Sequence, residues 1–185
     1  MNWNLPNTLT WARIAAIPLI VLLFYMPYPW ADPAAGLLFA AAGVTDSLDG
    51  YFARRWNQIS RLGAFLDPVA DKLVVATALV LLVSKDPRAL IVLTAAVIIG
   101  REITISALRE WMAEIGARRA VAVSQLGKYK TILQITGLSM MLYRRPLLGL
   151  LPTYWPGVIL TEIAAAATLI SMVVYLRAAW PELRR

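Results

Sequence analysis

The chain has 185 residues, 59% of them hydrophobic, with a net charge of +7 and a mean hydropathy of +0.64. That is too apolar for a soluble domain of ordinary composition, and the length suits one domain, taken as residues 1–185. There is no Cys and no His, which excludes disulfides, thiolate zinc sites, Cys nucleophiles and imidazole bases.

Six apolar segments, each about long enough to cross a bilayer, predict an all-α integral membrane protein with six transmembrane helices. In chain order they cover residues 8–26, 33–52, 62–83, 89–111, 121–143 and 155–179. The breaks between them carry Pro, Gly or charge, as helix ends do. No removable leader is expected, because no basic stretch and no small-residue cleavage site flank the first segment. Lys85, Arg88, Arg144 and Arg145 fall on one side of the six spans, and the other fourteen of the eighteen Lys and Arg fall on the opposite side. The richer side is expected to be cytoplasmic, with both termini there. The charge thus reads as membrane topology, and no nucleic-acid partner is expected.

The second and third segments meet in an acidic stretch. Asp46 and Asp49 share a helix face at a spacing of three; Gly63, Asp67 and Asp71 step by four along the next helix. A polar turn separates the two helices, so the carboxylates can converge at the cytoplasmic end. Carboxylates near lipid are costly unless paired or metal-bound, and four together repel one another. A divalent cation resolves both problems. With no His or Cys, any metal sits mainly among oxygens, which favours Mg²⁺ or Mn²⁺. Pairing with Arg54, Arg55, Arg61 and Lys72 as plain interfacial charges is the bland alternative. A cation transporter with an intramembrane carboxylate site also accounts for the aspartates, but not for Gly50, Ala53 and Arg54.

The stretch D-x-x-D-G-x-x-A-R-x(8)-G-x-x-x-D-x-x-x-D resembles the signature of the CDP-alcohol phosphatidyltransferase family at every defined position: Asp46, Asp49, Gly50, Ala53, Arg54, Gly63, Asp67 and Asp71. The resemblance implies a six-helix membrane fold, usually dimeric, with a polar cavity open to the cytoplasm. It implies a metal held by Asp46, Asp49 and Asp67 with Asp71 as a further ligand, and Asp71 as the catalytic base. It also implies that Asp49, Gly50, Ala53, Arg54 and Gly63 receive the CDP-lipid, here CDP-diacylglycerol.

Two other stretches bear on the second substrate. Pro6-Asn7-Thr8-Leu9-Thr10-Trp11-Ala12-Arg13 resembles the P-N-x-L-T-x-x-R opening of the family branch that uses sn-glycerol 3-phosphate, and Gly127-Lys128-Tyr129-Lys130-Thr131 with Gln134 resembles its G-K-x-K-T-x-x-Q segment. The run from Arg101-Glu102 to Arg109-Glu110-Trp111 is similar to the proteobacterial type, which implies the bacterial inner membrane. On this resemblance Asn7 and Thr10 join the CDP-lipid site. A phosphate-bearing acceptor needs a convergent basic pocket, and Arg101, Arg109, Arg118, Lys128 and Lys130 with Thr131 are the candidates. Two plainer readings stay open. Asn7, Thr10 and Arg13 also fit a helix cap with an interfacial anchor. Glu102 fits a charge network with its basic neighbours. Other acceptors of the same chemistry are serine, inositol phosphate and phosphatidylglycerol.

Overall fold

The computed structural model describes residues 5–56, 61–117, 125–147 and 149–184, with side chains over the same stretches except at 5–7, 46–56, 61–62, 64, 125–128 and 183. Each apolar segment becomes one helix: α1 (Leu5–Tyr25), α2 (Ala31–Trp56), α3 (Arg61–Lys85), α4 (Ala89–Glu114), α5 (Gln125–Tyr143) and α6 (Tyr154–Leu183). Among the described residues the only extended pairing is a single bridge between Leu147 and Leu151.

The fold is all-helical and of membrane type. The stretches Thr8–Tyr25 in α1, Ala89–Glu114 in α4 and Tyr154–Glu182 in α6 are long and apolar enough to cross a membrane. Their outward faces carry Leu22, Leu93, Ile103, Ile159, Ile170 and Val174, all more than half exposed, as lipid-facing side chains are. In α2, α3 and α5 part of the length is given to charged and polar residues, so these helices do not reach that apolar length among the described residues. The expectation of six spans is therefore met in helix number, and by three helices in length and apolarity.

Lipid tails are as apolar as leucine, so burial against lipid does little to drive helices together; close packing does more. Phe24, Phe39, Leu82, Ile98, Leu138 and Leu142 interlock at the centre of the bundle, essentially without exposure. The α5–α6 contact is backbone against backbone. A Cβ on Gly137 would meet the Gly157 carbonyl oxygen at 2.8 Å, and one on Gly157 would meet the Gly137 carbonyl oxygen at 2.7 Å. Among the described residues α1 packs on both α2 and α3 more extensively than these two pack on each other. Among these residues the two motif helices are joined largely through α1.

Successive helices alternate in direction, and the two ends of the bundle differ in chemistry. At one end, where α3 gives way to α4, Lys85 pairs with Asp32 at 3.3 Å and lies 4.1 Å over the Phe24 ring. Arg88 forks onto Asp86, and the Tyr154 hydroxyl donates to the same carboxylate. The Arg88 guanidinium beside it holds the Asp86 carboxyl well below the usual carboxylate range. Arg144, an exception to the charge asymmetry, ends α5 in the left-handed conformation (φ 56°) usually left to Gly. Its guanidinium lies 5.5 Å over the Tyr154 ring, which gives the charge a partner at the end otherwise poor in cations. The other end carries the acidic motif and most of the basic residues.

Candidate active site

The buried stripe of α1 runs Thr10, Arg13, Ala16, Ile20 and Phe24, at helical spacing. It starts polar and continues apolar. Its polar start meets α3 in register: Thr10 and Arg13 are three apart, Asp67 and Asp71 four apart, so each pair spans about one turn. The Thr10 hydroxyl donates to Asp67 Oδ1, and Arg13 Nη1 donates to Asp71 Oδ1 in an ion pair. Arg13 is 2% exposed, whereas the Asp71 side chain keeps 38% of its surface open. A buried guanidinium at this depth requires an anionic partner, and Asp71 supplies it.

Asp71 opens onto a cavity of about 250 Å³. Its polar lining is Arg13, Lys72, Glu102, Thr131 and Gln134, and Phe39 and Ile135 close its apolar side. A second charged group gathers at Glu102. Arg101 Nη1 binds Glu102 Oε1 at 2.6 Å, and Lys130 Nζ reaches the same oxygen at 3.4 Å. Arg101 Nη2 also donates to Ser171 Oγ on α6 at 3.2 Å. Arg101 is 8% and Lys130 5% exposed. Arg109 donates to the Tyr175 hydroxyl at 2.9 Å and stacks 5.0 Å over that ring. The Nε atoms of Arg101 and Arg109 are buried and have no hydrogen-bond partner among the described residues.

Several sequence candidates come together here, and others do not. Asp71 and Thr131 line the cavity. Asp67 sits one turn from Asp71, and Gly63 is buried one turn further toward the start of α3. Arg101 and Lys130 stand directly behind Glu102. Thr10, expected against the CDP-lipid, is buried and donates to Asp67. Arg109, expected on the acceptor phosphate, is drawn toward α6 by Tyr175. Asp46, Asp49, Gly50, Ala53 and Arg54 lie on the last turns of α2, Asn7 on the first turn of α1 and Lys128 on the first turn of α5. Their side chains, and all of Arg118, lie outside the described residues.

Arg13, Lys72, Glu102 and Gln134 line the cavity without having been site candidates. The matched spacing of Thr10–Arg13 and Asp67–Asp71 was the signal for Arg13. Among the described residues no three acidic side chains gather as a metal site. The motif carboxylates of α2, Asp46 and Asp49, lie outside that set. What is described fits a hard divalent cation: oxygen donors, with Asp67 and Asp71 each oriented through Oδ1 by a hydrogen bond from α1.

A sequence model of the CDP-alcohol phosphatidyltransferase family matches residues 3–177. The chain belongs to this family. It is accordingly a phosphatidyltransferase, and the transporter alternative does not account for a match along nearly the whole chain. Relatives from Escherichia coli (strain K12) and Shigella sonnei (strain Ss046) are each 50% identical to the phosphatidyltransferase over 186 residues, covering 99% of this chain and 98% of theirs. A relative from Shigella boydii serotype 4 (strain Sb227) is similar to the same extent. All three carry the name CDP-diacylglycerol–glycerol-3-phosphate 3-phosphatidyltransferase.

Proposed function

We propose that the enzyme transfers the phosphatidyl group of CDP-diacylglycerol to sn-glycerol 3-phosphate, giving phosphatidylglycerophosphate and CMP. The observation that carries this reading is the cavity lined by both Asp71 and Glu102, with the buried cations Arg101 and Lys130 bound to Glu102 behind that lining. Asp71 suits proton removal and the two cations suit a phosphate. The names of the full-length relatives agree with it.

In this reading the acceptor phosphate sits against Arg101 and Lys130, with Thr131 on the cavity wall beside it. The free acceptor hydroxyl then faces Asp71. Its oxygen attacks the phosphorus that bears the lipid, its proton passes to the Asp71 carboxylate, and the phosphoanhydride bond to CMP breaks. Arg13 orients Asp71 so that one oxygen is fixed and the side chain stays open to the cavity. Thr10 likewise fixes one oxygen of Asp67. Arg54, Gly50 and Ala53 on α2 receive the diphosphate and the cytidine side. Asp46, Asp49, Asp67 and Asp71 would hold Mg²⁺ or Mn²⁺, which supplies charge neutralisation at the diphosphate as CMP leaves. The site end is cytoplasmic, in the inner membrane of a bacterium, and the chain works as one domain over residues 1–185 in a homodimer.

Steady-state kinetics with each substrate varied in turn tests the assignment. Lys130→Met should raise the KM for glycerol 3-phosphate by on the order of ten- to a hundredfold, the worth of one charge-assisted phosphate contact, while the KM for CDP-diacylglycerol moves far less. Arg54→Gln should show the opposite split. Loss of affinity for CDP-diacylglycerol alone in Lys130→Met would invert the pocket assignment.

A further inference from the structure

Glu102 lines the cavity, and among the described residues it is the acidic partner of two cations, Arg101 and Lys130. Its Oε1 bridges Arg101 at 2.6 Å and Lys130 at 3.4 Å. Both cations are more than nine-tenths buried, yet the Glu102 side chain is 29% exposed and lines the cavity. Arg101 is anchored from behind by Ser171 on α6. The two buried cations thus share one partly exposed anion at the cavity wall. A phosphate needs the same two donors in the same place, and it cannot share them with a carboxylate without like-charge repulsion.

We propose that Glu102 is a built-in stand-in for the acceptor's phosphate and a specificity-determining residue: its carboxylate occupies the Arg101–Lys130 pocket when no acceptor is bound and gives way only to a strong anion. This rests on the assignment of Arg101 and Lys130 to the acceptor phosphate. A neutral alcohol cannot replace the carboxylate, so it finds the pocket shut. A phosphate monoester carries more charge and three acceptor oxygens, so it displaces the carboxylate and reaches both cations. By linkage, the carboxylate lowers the apparent affinity for every anion by competing for the pocket. It also keeps two buried like charges compensated while the site is empty.

The test is thermal unfolding of the purified, detergent-solubilised full chain with increasing inorganic phosphate, and separately glycerol 3-phosphate, with glycerol as the neutral control. Glu102→Gln should unfold at a lower temperature than wild type without anion, and phosphate should raise its midpoint more than it raises that of wild type. The half-saturating phosphate concentration should fall about tenfold, in line with loss of one competing charge-assisted contact. Glycerol should shift neither protein. Glu102→Asp, which keeps the charge but shortens the arm, covers the case in which the Gln variant does not fold, and should bind phosphate more tightly than wild type by a smaller factor. Equal or weaker phosphate response in the folded variants would make Glu102 a fixed strut and overturn the proposal. The inorganic-phosphate titration does not depend on which alcohol is the substrate. Wild-type protein that releases no CMP with glycerol 3-phosphate would sink the acceptor assignment instead.

Discussion

Arg13 is a buried cation whose ion pair is made with the residue assigned as the general base. Removing the guanidinium takes a charge-assisted donor from Asp71, which lies on the open cavity wall. Arg13→Gln should therefore lower kcat about ten- to a hundredfold, the equivalent of ~1.5–3 kcal/mol for a lost hydrogen bond to a charged group. The KM for either substrate should change little, and Arg13→Lys should restore part of the rate because it keeps charge but loses the planar fork. A KM effect with unchanged kcat would place Arg13 on a substrate rather than on Asp71. Thr10→Val keeps the shape and removes the donor to Asp67. In a titration of activity against Mn²⁺, that variant should require more metal for half-maximal rate. Sequence alone did not reach this pairing. The aspartates were legible because their spacing is rigid and their cost in an apolar chain is high. The α1 residues were legible only as a local pattern, since their partners lie 57 and 58 residues away.

At the scale of the helices, the number, order and type were readable from hydropathy, and the ends were not. α2 runs to Trp56 and α4 to Glu114, each a few residues beyond the apolar stretch. A helix of 26 residues is roughly 39 Å long, against a hydrocarbon core of about 30 Å. The polar overrun is helix beyond the apolar slab, where hydropathy no longer marks it. In α6 the helix ends two residues beyond Pro181, which cannot donate to the Arg177 carbonyl and so helps to stop the helix. The α5–α6 approach gives an element-scale prediction. Gly157→Ala puts a methyl 2.7 Å from a carbonyl oxygen on the partner helix, and should destabilise the protein by about 1–3 kcal/mol through overpacking, read as a lower unfolding midpoint. At the same end of the bundle, Asp86 just after α3 binds Tyr154 on α6 and Arg88 at the start of α4. Its carboxyl is depressed below 3.8, so the pairing contributes fully above that value and is lost as pH falls through the lower folded-state value. Asp86→Asn should unfold earlier than wild type at neutral pH, and the gap between the two should narrow steadily as the solution is taken below about pH 4.

For the whole molecule, the distribution of charge defines the orientation proposed above. Single-Cys labelling is clean because the chain has no native Cys. A Cys at Asn57 should react only when reagent reaches the cytoplasm, and one at Pro29 should react from outside intact cells; the reverse result would invert the bundle. The cavity makes sense in that orientation, since both the soluble acceptor and the released CMP are cytoplasmic species. The most direct measurement is CMP release by the purified enzyme in vesicles containing CDP-diacylglycerol and Mg²⁺ or Mn²⁺, with glycerol 3-phosphate, inositol phosphate, serine and glycerol offered in parallel. CMP release is expected with glycerol 3-phosphate, with phosphatidylglycerophosphate formed in equal amount, near-background rates with serine and glycerol, and loss of all activity in Asp71→Asn or on chelation. Transfer to serine or glycerol at a rate matching glycerol 3-phosphate would contradict the proposed function, because neither carries the phosphate that the Arg101–Lys130 pocket is assigned to bind.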